Sequence, residues 1–278
     1  MNAVECRAFK VDAFTDTPLK GNPAAVVLDC PELDRETMLA IAGELNLSET
    51  AFVWPERDGF RVRFFTPGDE IPLCGHATVA TFYLLWRLGL ASEGTNKMFS
   101  KAGEIDVLIK NGRVWLKQLK PEVIGELDIG ALKVILGTEN LVGPALAMTT
   151  GTPEGIVGIP TFEELMELEP DMGRLAKFSR ENGVIGVYVY TLDSRLDAAG
   201  RFFAPAVGVP EDPVTGTASG ILAGYLRLTG KLVKDRYIFE QGHALRREGR
   251  VYVEFEGERP WVGGEATISL EGRLFFKV

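Results

Sequence analysis

The chain has 278 residues, 46% hydrophobic and 25% charged, with 39 acidic against 30 basic side chains and a net charge of −9. That length supports one large or two medium domains, and the acidic balance excludes nucleic-acid binding through a basic face. The longest apolar stretch, Ile71 to Trp86, is 16 residues and carries His76, short of the roughly 20 that span a bilayer, so no membrane partner is expected. Charges come too early at the N-terminus for a secretory leader. Three cysteines without metal-type spacing fit a reducing compartment and argue against a disulfide framework, so a cytoplasmic protein is expected.

In chain order, strands are predicted over 6–13 and 24–28, joined by the Pro/Gly/Asn-rich loop FTDTPLKGNP. Asp34 caps a helix whose inner face is Met38, Leu39, Ile41, Ala42 and Leu45. Strands follow near 51–54 and 60–65, then a helix from about 76 to 89, apolar nearly all round and so buried on every side. Asn111-Gly112 marks a hairpin between strands near 105–109 and 113–118. The second half repeats the order. It has a strand near 145–149, a Thr161…Glu164 capping box, an interruption at Pro170, and a helix capped by Asp171 that ends near Asn182. Strands in VIGVYVYT and at 201–203 lead to an apolar helix over 216–228, and strands at 251–255, 265–270 and 273–277 close the chain.

The two halves share a repeated segment. RFFTPGDEIPLCGHAT at 63–78 lies over RFFAPAVGVPEDPVTGTAS at 201–219, 138 residues apart at Arg63/Arg201 and 141 apart at Cys74/Thr215. Each copy runs strand, Pro-bounded loop, Gly turn, apolar helix. The expected fold is α+β, with two pseudo-symmetric domains, each a strand-rich, barrel-like sheet wrapped around a central apolar helix. The expected domains are 1–125 and 126–278, with the boundary inside 121–145 and the chain end free to cross over. Paired helix N-termini offer unpaired N–H groups suited to a small carboxylate, with Gly75, Gly216 and Thr217 as binders.

The halves differ where chemistry is expected. Asn46 to Val53 carries Ser48, Glu49 and Thr50, whereas the segment matched from Asn182 carries no carboxylate. Glu49, beside Phe52 and Trp54, is expected to be partly desolvated with its pKa raised toward that of a useful base; a solvent-facing loop glutamate is the alternative. His76, at a helix start, is expected to be a neutral imidazole that passes a proton or binds substrate, or else a packing residue. Asp212, in Pro210-Glu211-Asp212-Pro213, falls at the place of Cys74 when the prolines are aligned, and is either aimed by its prolines or simply a turn. Cys74 has no partner thiol and reads as a buried small residue, and His243 reads as structural. No dinucleotide, Walker or HExxH motif occurs, so neither cofactor nor metal is expected.

Together, FTDTPLKGNPAAVV at 14–27, LSETAFV at 47–53, FFTPGDEIPLCGHATVA at 64–80, FFAPAVGVPEDPVTGTASG at 202–220 and VGGEATISLEGRLF at 262–275 resemble the PhzF-like family of the diaminopimelate epimerase fold. The resemblance implies a cofactor-independent isomerase, a homodimer, with its site between two domains. It implies Glu49, His76 and Asp212 as catalytic residues and Ser48, Gly75 and Thr217 as binders of a small carboxylate substrate. An amino-acid racemase or epimerase, and a non-catalytic small-acid binder on the same scaffold, are the competing readings.

Overall fold

A computed structural model describes residues 3–277. In chain order its elements are β1 (Ala3–Ala13), β2 (Asn22–Leu28), α1 (Arg35–Leu45), β3 (Thr50–Glu56), β4 (Gly59–Phe65), β5 (Glu70–Ile71), α2 (Gly75–Arg87), β6 (Gly94–Ser100), β7 (Gly103–Lys110) and β8 (Arg113–Lys117). They continue with β9 (Glu122–Glu126), α3 (Ile129–Leu136), β10 (Val142–Thr149), β11 (Pro153–Gly158), α4 (Phe162–Glu167), α5 (Met172–Glu181), β12 (Val187–Thr191), β13 (Ala198–Ala204) and β14 (Val209–Asp212). Last come α6 (Gly216–Leu228), β15 (Arg236–Gln241), β16 (Gly249–Glu256), β17 (Arg259–Gly264) and β18 (Ala266–Lys277). Among the described residues no helix is long and apolar enough to cross a membrane.

The chain divides into two compact units. One holds the chain up to Leu116 and again from Gly263; the other is Lys117–Val262. The division falls at 116/117, upstream of the expected 121–145, and the last strand belongs with the first unit because β18 pairs along the whole of β1.

In the first unit the strand order is β18-β1-β2-β3-β4-β6-β7-β8, parallel at β2/β3 and β4/β6 and antiparallel elsewhere, with β5 hung on β4. In the second it is β9-β10-β11-β12-β13-β15-β16, parallel at β11/β12 and β13/β15, with β14 hung on β13. The sequence repeat is thus a repeat of pairing order and direction. α2 packs against β1, β2, β3, β7 and β18, burying Ala77, Val79, Ala80, Phe82, Leu84 and Leu85 among others. Each such Leu or Phe contributes about 1.5–3 kcal/mol through burial, which explains why this helix carries almost no polar face. α6 does the same against β11 and β16 with Ile221, Leu222, Tyr225 and Leu226. Satellite cores lie around α1 (Met38, Ile41, Ala42 with Cys6, Val27, Phe52 and Phe65) and around α3–α5 (Leu132, Leu136, Leu165, Leu175 and Phe178).

Local signals act as expected. Asp34 accepts from Thr37 N–H at 2.7 Å, and Thr161 and Glu164 form a reciprocal capping box. Asn111 and Gly112 both have positive φ (54° and 72°), the geometry of a tight hairpin turn between β7 and β8.

Two expectations are corrected. Cys6 and Cys30 are joined in a disulfide, whereas a disulfide-free chain was expected. The β1/β2 register pairs Arg7 with Leu28, which brings Cys6 and Cys30 to a Cα–Cα separation of 5.0 Å, within bridging range. The half-to-half alignment also shifts. Thr50 pairs with Phe65 and Val187 with Phe203, so the structural counterpart of Glu49 is Gly186, not Ile185. Glu49 O accepts from Ala25 N–H and Gly186 O from Gly155 N–H, both at 2.9 Å. A Cβ on Gly186 would lie 2.4 Å from the Phe203 carbonyl oxygen, so the second unit has no room for a side chain where the first carries its glutamate.

Candidate active site

In the first unit, Ser48 and Glu49 are the last residues before β3, and Gly75 and His76 open α2 behind the extended residue Cys74. The sharp approach of this loop to the helix start brings three polar side chains together. Glu49 Oε2 lies 3.1 Å from His76 Nε2, with the two side chains only 16% and 10% exposed. Ser48 Oγ is 3.5 Å from the same nitrogen, and Cys74 Sγ is 3.4 Å from His76 Nδ1. Both imidazole nitrogens are therefore addressed, one by a carboxylate and one by a thiol. Cys74 is buried, as expected, but it is more than a filler because it faces the histidine.

The protonation states follow from these contacts, and two expectations are overturned. Burial pushes the Glu49 carboxyl up, but the His76 charge and the hydrogen bonds of His76, Ser48 and Cys74 outweigh it and hold it below the usual carboxylate range. Burial alone would lower His76. Cys74 and Glu49, through charge and hydrogen bonds, raise it well above 6.5. A full negative charge at this distance overrides the half-charge of a helix N-terminus, which is why the neutral imidazole expected from the helix dipole is not the favoured form. Burial, reinforced by the Glu49 charge, pushes the Cys74 thiol up. These directions favour an ionised Glu49 beside a protonated His76, with the Glu49 charge the cause that remains while Cys74 is a thiol.

The donor atoms of Glu49, Cys74 and His76 all lie within 4.8 Å of one another, a spacing that suits a metal ion. A metal bound there would displace the imidazole and thiol protons, so its binding would weaken as pH falls.

In the second unit, Asp212 ends β14, and Gly216 and Thr217 open α6 behind Thr215. Phe64 pairs with Ile71 and Phe202 with Asp212, so Asp212 matches Ile71, and the residue matching Cys74 is Thr215. The capping turns agree, with Thr78 Oγ1 donating to Cys74 O at 2.7 Å and Ser219 Oγ to Thr215 O at 3.0 Å. The proline alignment that placed Asp212 at Cys74 is therefore replaced by the glycine-turn alignment. Thr215 Oγ1 donates to Asp212 Oδ2, while Gln241 Nε2 donates to Asp212 O at 2.8 Å and Gln241 Oε1 accepts from Thr215 N–H at 3.0 Å. These contacts fix the Asp212 loop from both sides. Thr217 Oγ1 lies 2.6 Å from Oε1 of Glu154, a fully buried residue of β11. Thr215, Gln241 and Glu154 were not singled out from the sequence. For Glu154 a signal existed, a lone acid in the otherwise apolar strand PEGIVG. His243, read as structural, lies 3.1 Å from Glu240 and edge-on to Phe162.

Residues 11–272 match the family model described as phenazine biosynthesis-like protein, PhzC–PhzF. The chain belongs to the PhzC–PhzF family. Its PhzC–PhzF relatives include an uncharacterized isomerase of Deinococcus radiodurans, 38% identical with 96% of this chain and 94% of the relative covered. Another, from Pseudomonas aeruginosa, is 37% identical with 98% and 99% covered. The crystal structure of a Bacillus anthracis PhzF-family protein superposes with a TM-score of 0.89 at 29% identity, covering 99% of both chains. A hydroxyproline epimerase of Agrobacterium vitis shares the fold alone, with a TM-score of 0.62 at 12% identity. The fold is thus the expected α+β epimerase-like one, and the chain is an enzyme of an isomerase family.

Proposed function

We propose that this protein is an isomerase that moves a proton within a small carboxylate-bearing metabolite, with Glu49 as the general acid/base. The observation that carries this reading is the 3.1 Å approach of Glu49 to His76, both nearly buried, a contact that lowers the carboxyl and raises the imidazole. Glu49 takes a proton from an activated carbon and returns it at another position. A polar substituent of the substrate draws the His76 charge away from Glu49, which restores basicity to the carboxylate at the moment it is needed. His76 and Asp212 hold polar substituents, Ser48 and Thr217 add hydroxyl contacts, and the N–H groups at Gly75 and Gly216 take the carboxylate. That both constellations serve one substrate rests on the family resemblance. So do the homodimer and the independence from cofactors, whereas the cytoplasmic location loses its cysteine argument to the Cys6–Cys30 disulfide. A two-thiol racemase is disfavoured because the counterpart of Cys74 is Thr215.

The test is a cell-metabolite extract incubated in D₂O with wild-type protein and with Glu49→Gln, read by mass spectrometry. A metabolite that gains deuterium or changes to a new isomer only with wild type supports the proposal and names the substrate class. Equal labelling by both proteins contradicts the role given to Glu49.

A further inference from the structure

Glu154 is the one acid buried to 0% exposure in the second unit's β11, and its two oxygens have different surroundings. Oε1 is 2.6 Å from Thr217 Oγ1, while Oε2 is sealed from solvent with no hydrogen-bond partner among the described residues. Thr217 itself is only half buried, at the second position of α6, where the first N–H groups of the helix have no intrahelical acceptor. A buried acid therefore stands directly behind a hydroxyl that opens onto a helix N-terminus. In the first unit the corresponding position, from the pairing of Ala25 with Thr50 and Gly155 with Val187, is Ala24, so the acid is not part of the shared fold.

We propose that Glu154 is a positioning residue whose acid proton is donated to Thr217 Oγ1, turning the Thr217 hydroxyl proton outward to a carboxylate group of the ligand. This rests on the reading of Thr217 as a substrate-binding residue and adds the polarity of its contact. A threonine hydroxyl can donate only one hydrogen bond. If Glu154 is ionised, Thr217 must donate to it and presents only lone pairs outward, which repel an anion. If Glu154 is protonated, the acid is the stronger donor and Thr217 is left free to donate to the ligand.

The surroundings favour the protonated form. Burial pushes the Glu154 carboxyl up, only partly opposed by the hydrogen bond of Thr217 and reinforced by the Asp212 charge, to about 8. The groups around it are Asp212 on β14, the Tyr188 phenol on β12 and Thr217 on α6, with Met148 paired opposite on β10. Tyr188 is itself pushed upward by burial and then by the charges of Glu154 and Glu240, so it stays neutral through this range. Among the described residues no basic group offsets the burial of Glu154. The sign is then fixed: the ligand-competent form dominates below about pH 8 and is lost above it, and ligand binding takes up a proton in the alkaline range.

Acetate serves as the probe, titrated by NMR against the full chain and followed at the amides of the first turn of α6. Wild type should bind roughly tenfold more weakly at pH 9 than at pH 7, the loss expected when only about a tenth of the protein remains competent. Glu154→Leu should weaken binding already at pH 7. Glu154→Gln, whose amide can make the same donation, should restore binding and remove the pH dependence. A pH dependence that survives in Glu154→Gln overturns this proposal while leaving Thr217 as a ligand residue. Unchanged acetate binding in Thr217→Val overturns it together with the reading of Thr217 on which it rests.

Discussion

Glu49→Gln is expected to lower the rate of substrate labelling by at least about 10²-fold, the usual scale for loss of a general base, while leaving the fold intact. The amide keeps the shape and the hydrogen-bonding reach of the carboxylate but cannot accept a carbon-bound proton. It also removes the negative charge that stabilises the His76 imidazolium, so two functions fail together. Substrate affinity should change far less than turnover, because binding falls to the hydroxyls and helix N–H groups. An equal loss of thermal stability, or a rate within a few-fold of wild type, would mark Glu49 as structural.

Arg201→Ala is expected to destabilise the second unit by about 3–5 kcal/mol, measured as a shift in the urea midpoint. Arg201 and Glu211 form an ion pair at 2.9 Å with side chains 8% and 11% exposed, and the same guanidinium donates to the carbonyls of Leu165 (3.0 Å), Met166 (3.3 Å) and Leu168 (2.9 Å). Its face also covers the Phe203 ring at 4.8 Å. Removing it strands a buried carboxylate and unties the end of α4 at once. The first unit supplies the control. Arg63 pairs with Glu70 at 2.8 Å but is 27% exposed, so Arg63→Ala should cost less, about 1–2 kcal/mol. Equal losses at the two positions would show that the burial difference between the repeats carries no energetic weight.

The repeat was legible because its strongest features are strong in one dimension. Arg-Phe-Phe, the bounding prolines, the Gly turn and a helix with no polar face recur at a nearly fixed offset, and few arrangements other than a buried central helix satisfy such a helix. Caps at Asp34, Thr161 and Asp171, and the Asn111-Gly112 turn, are local chemistry and stood as read. The elements that escaped are those whose pattern depends on neighbours. β6, GTNKMFS, buries only Met98, and it is a strand because β4 and β7 flank it. β15 has the right alternation, Tyr237, Phe239 and Gln241 inward, but its inward glutamine disguises it until Thr215 and Asp212 are seen to need that amide. β9, β11, β17 and α3 were likewise missed. The break expected near Gly272 is absent because Gly272 simply pairs with Ala8 inside β18.

At the site, residue identity was legible and protonation was not. Glu49, His76 and Ser48 do come together in one unit, and Asp212, Gly216 and Thr217 lie close along the chain in the other. The single-residue shift that matches Glu49 to Gly186 requires the strand pairing, since the α1–β3 and α5–β12 connections differ in length by one residue. The direction of the Glu49 and His76 shifts depends on a contact between residues 27 apart in the chain. Read singly, the glutamate invites a desolvated base and the histidine a neutral helix-start imidazole. Placed 3.1 Å apart, His76 reverses the shift of Glu49, and Glu49 with Cys74 reverses that of His76.

The protonation state of His76 is therefore the most direct measurement of this account. Nitrogen-15 NMR of histidine-labelled protein suffices, because the chain has 2 histidines and His243→Asn identifies the remaining signal as His76. Both ring nitrogens of His76 are expected to carry protons at about pH 7.5 in wild type, and Glu49→Gln is expected to shift the same ring to the neutral form. A wild-type His76 that is already neutral at that pH, titrating at or below 6.5 and unmoved by Glu49→Gln, would contradict it.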